Sequence, residues 1–354
     1  MNFYAVIIAG GVGKRFWPRS RKLTPKQLLN ITAEKSMLRL TVDRLKLSTD
    51  ISKIIIVTNA DQKNGILSEI PELRPENILI EPSGKNTAPA IGLAAIYIEQ
   101  QDPDAIMGVF PADHIIGDDA LFNMYLEQGI HAASHEKALV TFGVVPTRPA
   151  TGYGYIQFLD QKNKPALKVK TFAEKPDLKT ARAFLSSGDF LWNSGMFVWS
   201  VKIILSAYGQ YLTELYHSLK KIRLVINKDD YQNVLNREWA TIRSISIDYG
   251  IMEKSNNVRV VKVDFPWNDV GSWDAVYEMS DKDENGNASR GDTIIIDGDK
   301  NLVFSDHQNV SIVGVSNLVV ISTKDALLII PRHDTERVKE VVDKLEKNGR
   351  KELL

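Results

Sequence analysis

Residues 9–27, AGGVGKRFWPRSRKLTPKQ, hold three glycines and six cationic side chains without a single carboxylate. They follow directly on the apolar run Tyr4–Ile8. Glycine lets a backbone approach a ligand closely, and converging amide N–H groups cradle an anion. Gly10, Gly11 and Gly13 supply that freedom; Arg15, Arg19, Arg21, Lys22 and Lys26 supply charge. The pattern therefore points to a phosphate-bearing ligand, although a tight turn with solvated basic residues satisfies the glycines alone equally well. Two familiar phosphate loops are excluded. Counting from Gly11, Phe16 occupies the last glycine of a dinucleotide fingerprint, and Lys14 is followed by Arg15 where a Walker loop needs Ser or Thr. Lys85, in SGKNT, fails the same test because Asn86 follows it.

Two aspartates complete the chemical pattern. Asp113 sits just past the apolar run of AIMGVFPAD, where an open α/β sheet binds ligands at the carboxyl ends of its strands. Asp269 lies in WNDVGSW between two indoles. Two carboxylates plus phosphate oxygens suit Mg²⁺, which takes few protein ligands. Taken singly, each aspartate reads first as a turn cap. Lys+Arg and Asp+Glu both total 44, so the basic loop is a local feature, and bulk binding to nucleic acid or an acidic membrane is disfavoured. The absence of cysteine excludes disulfides and thiolate chemistry. With no signal-peptide pattern and no long apolar stretch, the chain reads as cytoplasmic.

The elements that would position these groups follow from apolar periodicity. FYAVIIAG (3–10), KIIIVTN (53–59), ENILIEP (76–82), AIMGVFPAD (105–113) and ALVTFGV (138–144) read as strands buried on both faces. Between them, residues 36–47, 86–101 and 119–135 carry helical spacing. The alternation predicts an α/β fold with a mainly parallel, mixed Rossmann-like sheet. A long helical region spans 201–240, and a polar linker lies at 281–292. Beyond it, short β runs predict a small module resembling a short β-helix, closed by an amphipathic helix at TERVKEVVDKLEK. The expected domains are 1–280 and 289–354.

The loop GGVGKRFWPRSRKLTPKQ resembles the signature of the sugar-nucleotide pyrophosphorylases, and its FWPRSRKLTPKQ half is similar to the mannose-1-phosphate guanylyltransferase branch. EPSGKNTAPAI (81–91), FPADHII (110–116), GYGYI (152–156), FAEKP (172–176), WNSGMFVW (192–199), SIDYGIMEK (246–254) and WNDVGSW (267–273) fit the same branch in colinear order. The resemblance implies transfer of GMP from GTP to mannose 1-phosphate, releasing pyrophosphate, on a nucleotidyltransferase domain. Bifunctional relatives carry a fused cupin-type isomerase; the length of this chain predicts the monofunctional form.

Matched residue by residue, Arg15 and Lys26 are implied to hold the triphosphate and the departing pyrophosphate. Lys175 is implied to grip the sugar phosphate, with Glu174 beside it as hydroxyl acceptor. Asp113 and Asp269 are the implied metal ligands. Gly152, Tyr153, Gly154, Asn193 and Gly195 suit sugar recognition and match the sugar-binding blocks. Guanine presents two adjacent donors, so Glu81 is the expected reader, with a backbone carbonyl competing; Ser83, Asn86 and Thr87 complete the nucleotide set. A sugar phosphate is already an ionised nucleophile, so positioning and electrostatics carry the reaction rather than a general base. The rival readings are a hexose-1-phosphate nucleotidyltransferase of other base or sugar specificity, and a sugar-nucleotide-binding regulator without turnover. The β module and terminal helix offer surfaces for a homodimer.

Overall fold

The buried apolar runs become strands and the amphipathic segments between them become helices. A computed structural model gives the fold and describes residues 2–31, 33–161 and 164–354. In chain order the first elements are β1 (Phe3–Ile8), α1 (Met37–Leu45), β2 (Ile54–Asn59), α2 (Lys63–Glu69) and β3 (Ile78–Glu81). Next come α3 (Thr87–Gln101), β4 (Ile106–Pro111), β5 (Ile115–Ile116), α4 (Asp119–His135) and β6 (Leu139–Val144). Then follow β7 (Tyr155–Leu159), β8 (Leu167–Ala173), α5 (Leu178–Ser187) and β9 (Phe190–Ser200). The 201–240 region is three helices, α6 (Val201–Tyr211), α7 (Thr213–Arg223) and α8 (Tyr231–Thr241), interrupted by Leu212 and by residues 224–230. β10 (Val258–Val263), β11 (Trp267–Asn268) and α9 (Trp273–Met279) finish this part.

One nine-stranded sheet runs in the order β3-β2-β1-β4-β9-β6-β10-β8-β7. Pairing is parallel through β3-β2-β1-β4 and again between β6 and β10. Elsewhere it is antiparallel, because the 11-residue β9 runs against both β4 and β6 and reaches β7. An apolar run shows that a strand is buried but not which way it points, so this mixed half was invisible to periodicity. Alternation along β1 divides two cores. Ala5 and Ile7 face a cluster with α1 and α4, whereas Tyr4 and Val6 face one with α3, α6, α7 and α8. β1 and β4 are neighbours with Ile8 opposite Pro111, so the glycine loop and Asp113 leave adjacent strand ends together.

The carboxyl-terminal part holds β12 (Ala288–Arg290), β13 (Thr293–Ile296), β14 (Leu302–Ser305), β15 (Val310–Val313), β16 (Leu318–Ser322) and β17 (Leu327–Pro331). It ends in a short 3₁₀ segment, Arg332–Arg337, leading into α10 (Val338–Lys347). β12, β14 and β16 stack in parallel, as do β13 and β15, which gives the short β-helix expected; β17 closes it antiparallel. Ala288 faces Leu302 but Leu302 faces Val319, so successive coils differ in length and no strict repeat is visible in the sequence. Buried asparagines tie the coils: Asn301 Nδ2 donates to Asn287 Oδ1 at 3.1 Å and to the Val315 carbonyl at 2.9 Å. The polar 281–292 stretch is therefore ordered from Asn287 onward, with Asn287 only 3% exposed.

A third apolar core joins the two parts. Phe16, Trp17, Leu29 and Trp273 pack there with Leu302, Phe304, Val319, Ile321, Val338 and Val342. The underside of the basic loop is thus sealed by the β-helix and α10.

Candidate active site

The glycine loop is held from below by a buried amide network. Gln27 Nε2 donates to the Ala9 and Gly11 carbonyls and to Gln62 Oε1, at 2.9, 3.1 and 2.8 Å. Thr58 Oγ1 donates to the Ala9 carbonyl at 2.9 Å. With these carbonyls engaged on the protein side, the loop is held while the N–H groups of Gly10, Gly11 and Gly13 make no backbone hydrogen bond among the described residues. Gly13 has a left-handed φ of 73°, and a Cβ there would stand 2.4 Å from Lys26 Cβ. Only glycine meets both demands. Gln27 ends the signature stretch, but its partner Gln62, and Thr58 which bonds Gln62 and shares the Ala9 carbonyl, carry no local signal in the sequence.

Lys26 is the centre of the site. Its Nζ donates to Asp113 Oδ2 at 2.8 Å and to the Asp269 carbonyl at 2.8 Å, and its side chain is nearly fully buried. Tyr153 Oη donates to Asp269 Oδ1 at 3.0 Å. Asp113, Asp269, Lys26, Gly13 and Arg15 line one cavity of about 390 Å³, so residues far apart in the chain converge there. Burial pushes the Asp113 carboxyl up, but Lys26 and His114 outweigh it and hold it below the usual carboxylate range. His114 accepts from Trp267 Nε1 at Nδ1 over 3.3 Å, and burial lowers its pKa, so the neutral imidazole is favoured. Asp269 presses Tyr153 upward only after burial has already done so, and the phenol stays protonated as a donor.

An adjoining cavity of about 320 Å³ is lined by Gly10, Gly11, Thr87, Asp113 and Gly195, with Ile91, Val109 and Phe197 as an apolar wall. Beside it lies Glu81, 6% exposed, with Oε2 3.2 Å from where a Gly10 Cβ would stand. Its Oε1 has no hydrogen-bond partner among the described residues, and burial pushes its carboxyl up to about 7. Ser83 and Asn86 serve the scaffold. The Ser83 carbonyl accepts from Trp239 Nε1 at 2.8 Å, and Asn86, at φ 70°, caps α3 by accepting from Thr87 N. Thr87 Oγ1 accepts from Ile247 N at 2.9 Å.

On the opposite side, Asn193, Gly154 and Glu174 are neighbours: a Gly154 Cβ would lie 3.7 Å from both Asn193 Cβ and Glu174 Oε2. Gly195 takes φ 69° and donates its N–H to Asn193 Oδ1 at 3.2 Å. Lys175 is exposed and pairs with Glu174 at 3.4 Å. Gly152, also exposed, opens the loop that carries Tyr153. Tyr153 meets Trp192 and Trp267 edge-on, at centroid distances of 5.1 Å each. A residue not anticipated from the sequence is Asp248, whose Oδ1 accepts from Asn193 Nδ2 at 2.8 Å and which lines the 320 Å³ cavity. Burial holds its carboxyl above the usual range. Its only local sign is its place within SIDYGIMEK.

The basic loop also differs from a freely solvated one. Arg15 Nε pairs with Glu336 at 2.8 Å, Lys14 with Asp343 and Glu346 at 3.0 Å each, and Arg21 with Asp325 at 2.8 Å. Trp17 Nε1 donates to the Leu353 carbonyl at 2.9 Å. These carboxylates lie more than 300 residues from the loop, beyond any motif.

The nucleotidyl transferase family matches residues 4–286, and the domain described as MannoseP isomerase/GMP-like beta-helix matches residues 291–345. Mannose-1-phosphate guanylyltransferases of Klebsiella pneumoniae and Escherichia coli are each 38% identical over 98% of this chain and 74% of their own length. The chain belongs to the mannose-1-phosphate guanylyltransferase family. It is a nucleotidyltransferase enzyme. Its fold is that of a solved relative, described as mannose-1-phosphate geranyltransferase from Thermus thermophilus. That structure shares 33% identity and a TM-score of 0.88, covering 98% of this guanylyltransferase-family chain and all of the other. No helix among the described residues is long and apolar enough to cross a membrane.

Proposed function

We propose that the enzyme transfers GMP from GTP to α-D-mannose 1-phosphate, giving GDP-mannose and pyrophosphate. The observation that carries this reading is Lys26. Its ammonium joins the Asp113 carboxylate to the Asp269 backbone at the mouth of the glycine loop. In this reading, triphosphate, reacting phosphorus and sugar phosphate meet beside those three residues. In the reaction, an oxygen of the sugar phosphate forms a bond to the α-phosphorus of GTP, and the bond from that phosphorus to the bridging α–β oxygen breaks. Pyrophosphate leaves with the electron pair, so negative charge accumulates on the side of Arg15 and Lys26. Cations already fixed in place stabilise it without reorganising.

Asp113 and Asp269 fit Mg²⁺. Each keeps one carboxylate oxygen without a side-chain donor among the described residues, since Lys26 takes Asp113 Oδ2 and Tyr153 takes Asp269 Oδ1. No cluster of three His, Cys, Asp or Glu side chains suited to a metal occurs among the described residues, which accords with an ion completed by substrate oxygens and water. Such an ion would neutralise phosphate charge between the two substrates. Glu81 would accept from guanine N1–H and the 2-amino group. Lys175 would contact the sugar phosphate, while Glu174, Asn193 and Asp248 would receive sugar hydroxyls.

The test is pyrophosphate release with Mg²⁺, pairing four nucleoside triphosphates with mannose, glucose and N-acetylglucosamine 1-phosphates. GTP with mannose 1-phosphate is expected to exceed every other pair. Preference for another base or hexose would replace this substrate assignment, and the absence of release with any pair would leave the regulator reading.

A further inference from the structure

Lys339, near the start of α10, lines the 390 Å³ cavity together with Lys14, Arg15, Lys26, Asp113 and Asp269. The carboxylates around it are engaged elsewhere. Glu336 holds Arg15, Asp343 and Glu346 hold Lys14, and Asp334 and Glu340 hold Arg337. No carboxylate lies within ion-pair distance of Lys339 among the described residues. Lys14, Arg15 and Lys26 are each offset by a carboxylate, so Lys339 adds a cation without an ion pair to the cavity, and an anion received there is attracted to it. The acidic side chains of this carboxyl-terminal segment fasten the outside of the basic loop, and among its lysines without an ion pair in the described residues it is Lys339 that lines this cavity.

We infer that the carboxyl-terminal helix is a wall of the phosphate site, with Lys339 contacting the β- and γ-phosphates of the bound triphosphate and the pyrophosphate that leaves. This rests on the nucleotidyl-transfer reading of the same cavity. It extends that reading by giving the β-helix part a ligand-binding residue as well as a structural role. Lys339 is exposed, so its replacement leaves the fold intact.

The experiment titrates inorganic pyrophosphate, GTP and GMP, with Mg²⁺, into wild-type protein, Lys339→Ala and Lys339→Arg by calorimetry. Loss of one charge-assisted phosphate contact predicts pyrophosphate and GTP binding weakened roughly 10-fold in Lys339→Ala. GMP binding should stay within about twofold, the scale of a remote surface charge. Lys339→Arg should restore most of the loss, and the KM for GTP should rise in Lys339→Ala while that for the hexose phosphate does not. Unchanged pyrophosphate and GTP binding in Lys339→Ala would overturn the inference. So would equal weakening of GMP, which would mark a general disturbance. Because pyrophosphate binding needs no turnover, this result stands apart from the substrate panel. A wild-type protein that binds no pyrophosphate would likewise overturn it.

Discussion

Glu81 is a carboxyl buried beside the 320 Å³ cavity, pushed up to about 7 and lacking a partner at Oε1 among the described residues. Guanine offers donors, so under the proposed function it binds the ionised form. Below pH 7 that form is depleted, and the dissociation constant for GDP-mannose should rise by about tenfold per pH unit. Titrations from pH 5.5 to 8 should reveal this slope, and Glu81→Gln should flatten it. Stability responds in the opposite direction. A folded-state pKa raised from 4.5 favours the fold fully below pH 4.5, and that contribution is lost as pH climbs through about 7. Glu81→Gln should therefore gain on the order of 3 kcal/mol relative to wild type at pH 8, read from denaturant unfolding. At Asp113 the expected effect is catalytic. Asp113→Asn removes the charge facing Lys26 and one arm of the proposed metal site, so kcat should fall roughly 100-fold or more at saturating Mg²⁺. Asp113, Lys26 and Asp269 could be read from the sequence because each sits in a block dense with unusual neighbours. Asp248 was missed because a single aspartate before an aromatic residue resembles any turn; only the fold brings it to the Asn193 amide, 55 residues away, at the edge of the cavity.

At the scale of elements, the glycine loop is a piece of irregular backbone fixed by side chains beneath it. Gly13→Ala forces a Cβ into Lys26 and demands a left-handed backbone from alanine. The left-handed conformation alone costs about 1–2 kcal/mol, and the clash adds to it. The variant should therefore lose several degrees of Tm in a calorimetric scan. It should also lose far more activity than stability, because Lys26 is the side chain displaced. The strands of the first half were legible because each is buried on both faces and reads as an unbroken apolar run. Pairing direction was not, since β9 gains its place from partners on three other strands. The coils of the β-helix were legible as short β runs, but their unequal lengths hid the repeat. Strand pairing and the buried Leu302, Phe304, Val319 and Ile321 join them, and asparagine hydrogen bonds add to that.

Across the whole molecule, the β-helix part shares an apolar core with the basic loop. Phe16, Trp17 and Trp273, all buried, share one core with Phe304, Ile321 and Val338. A chain ending near Ser289 should expose those aromatic rings at a cost of about 1.5–3 kcal/mol for each large side chain. It should aggregate or melt early in light-scattering and thermal scans, with transfer activity lost; a soluble, fully active fragment would contradict this. No motif announced the dependence, because the fastening acids are ordinary surface residues until the fold brings them to the loop.

The pairing of Lys14 with Glu346 spans 332 positions. A ribosome therefore delivers the glycine loop early and the fastening for it only with α10. A nascent polypeptide can own Lys26, Asp113 and Asp269 and still lack the acids that hold Lys14 and Arg15, so transfer activity is expected only once synthesis has reached that helix.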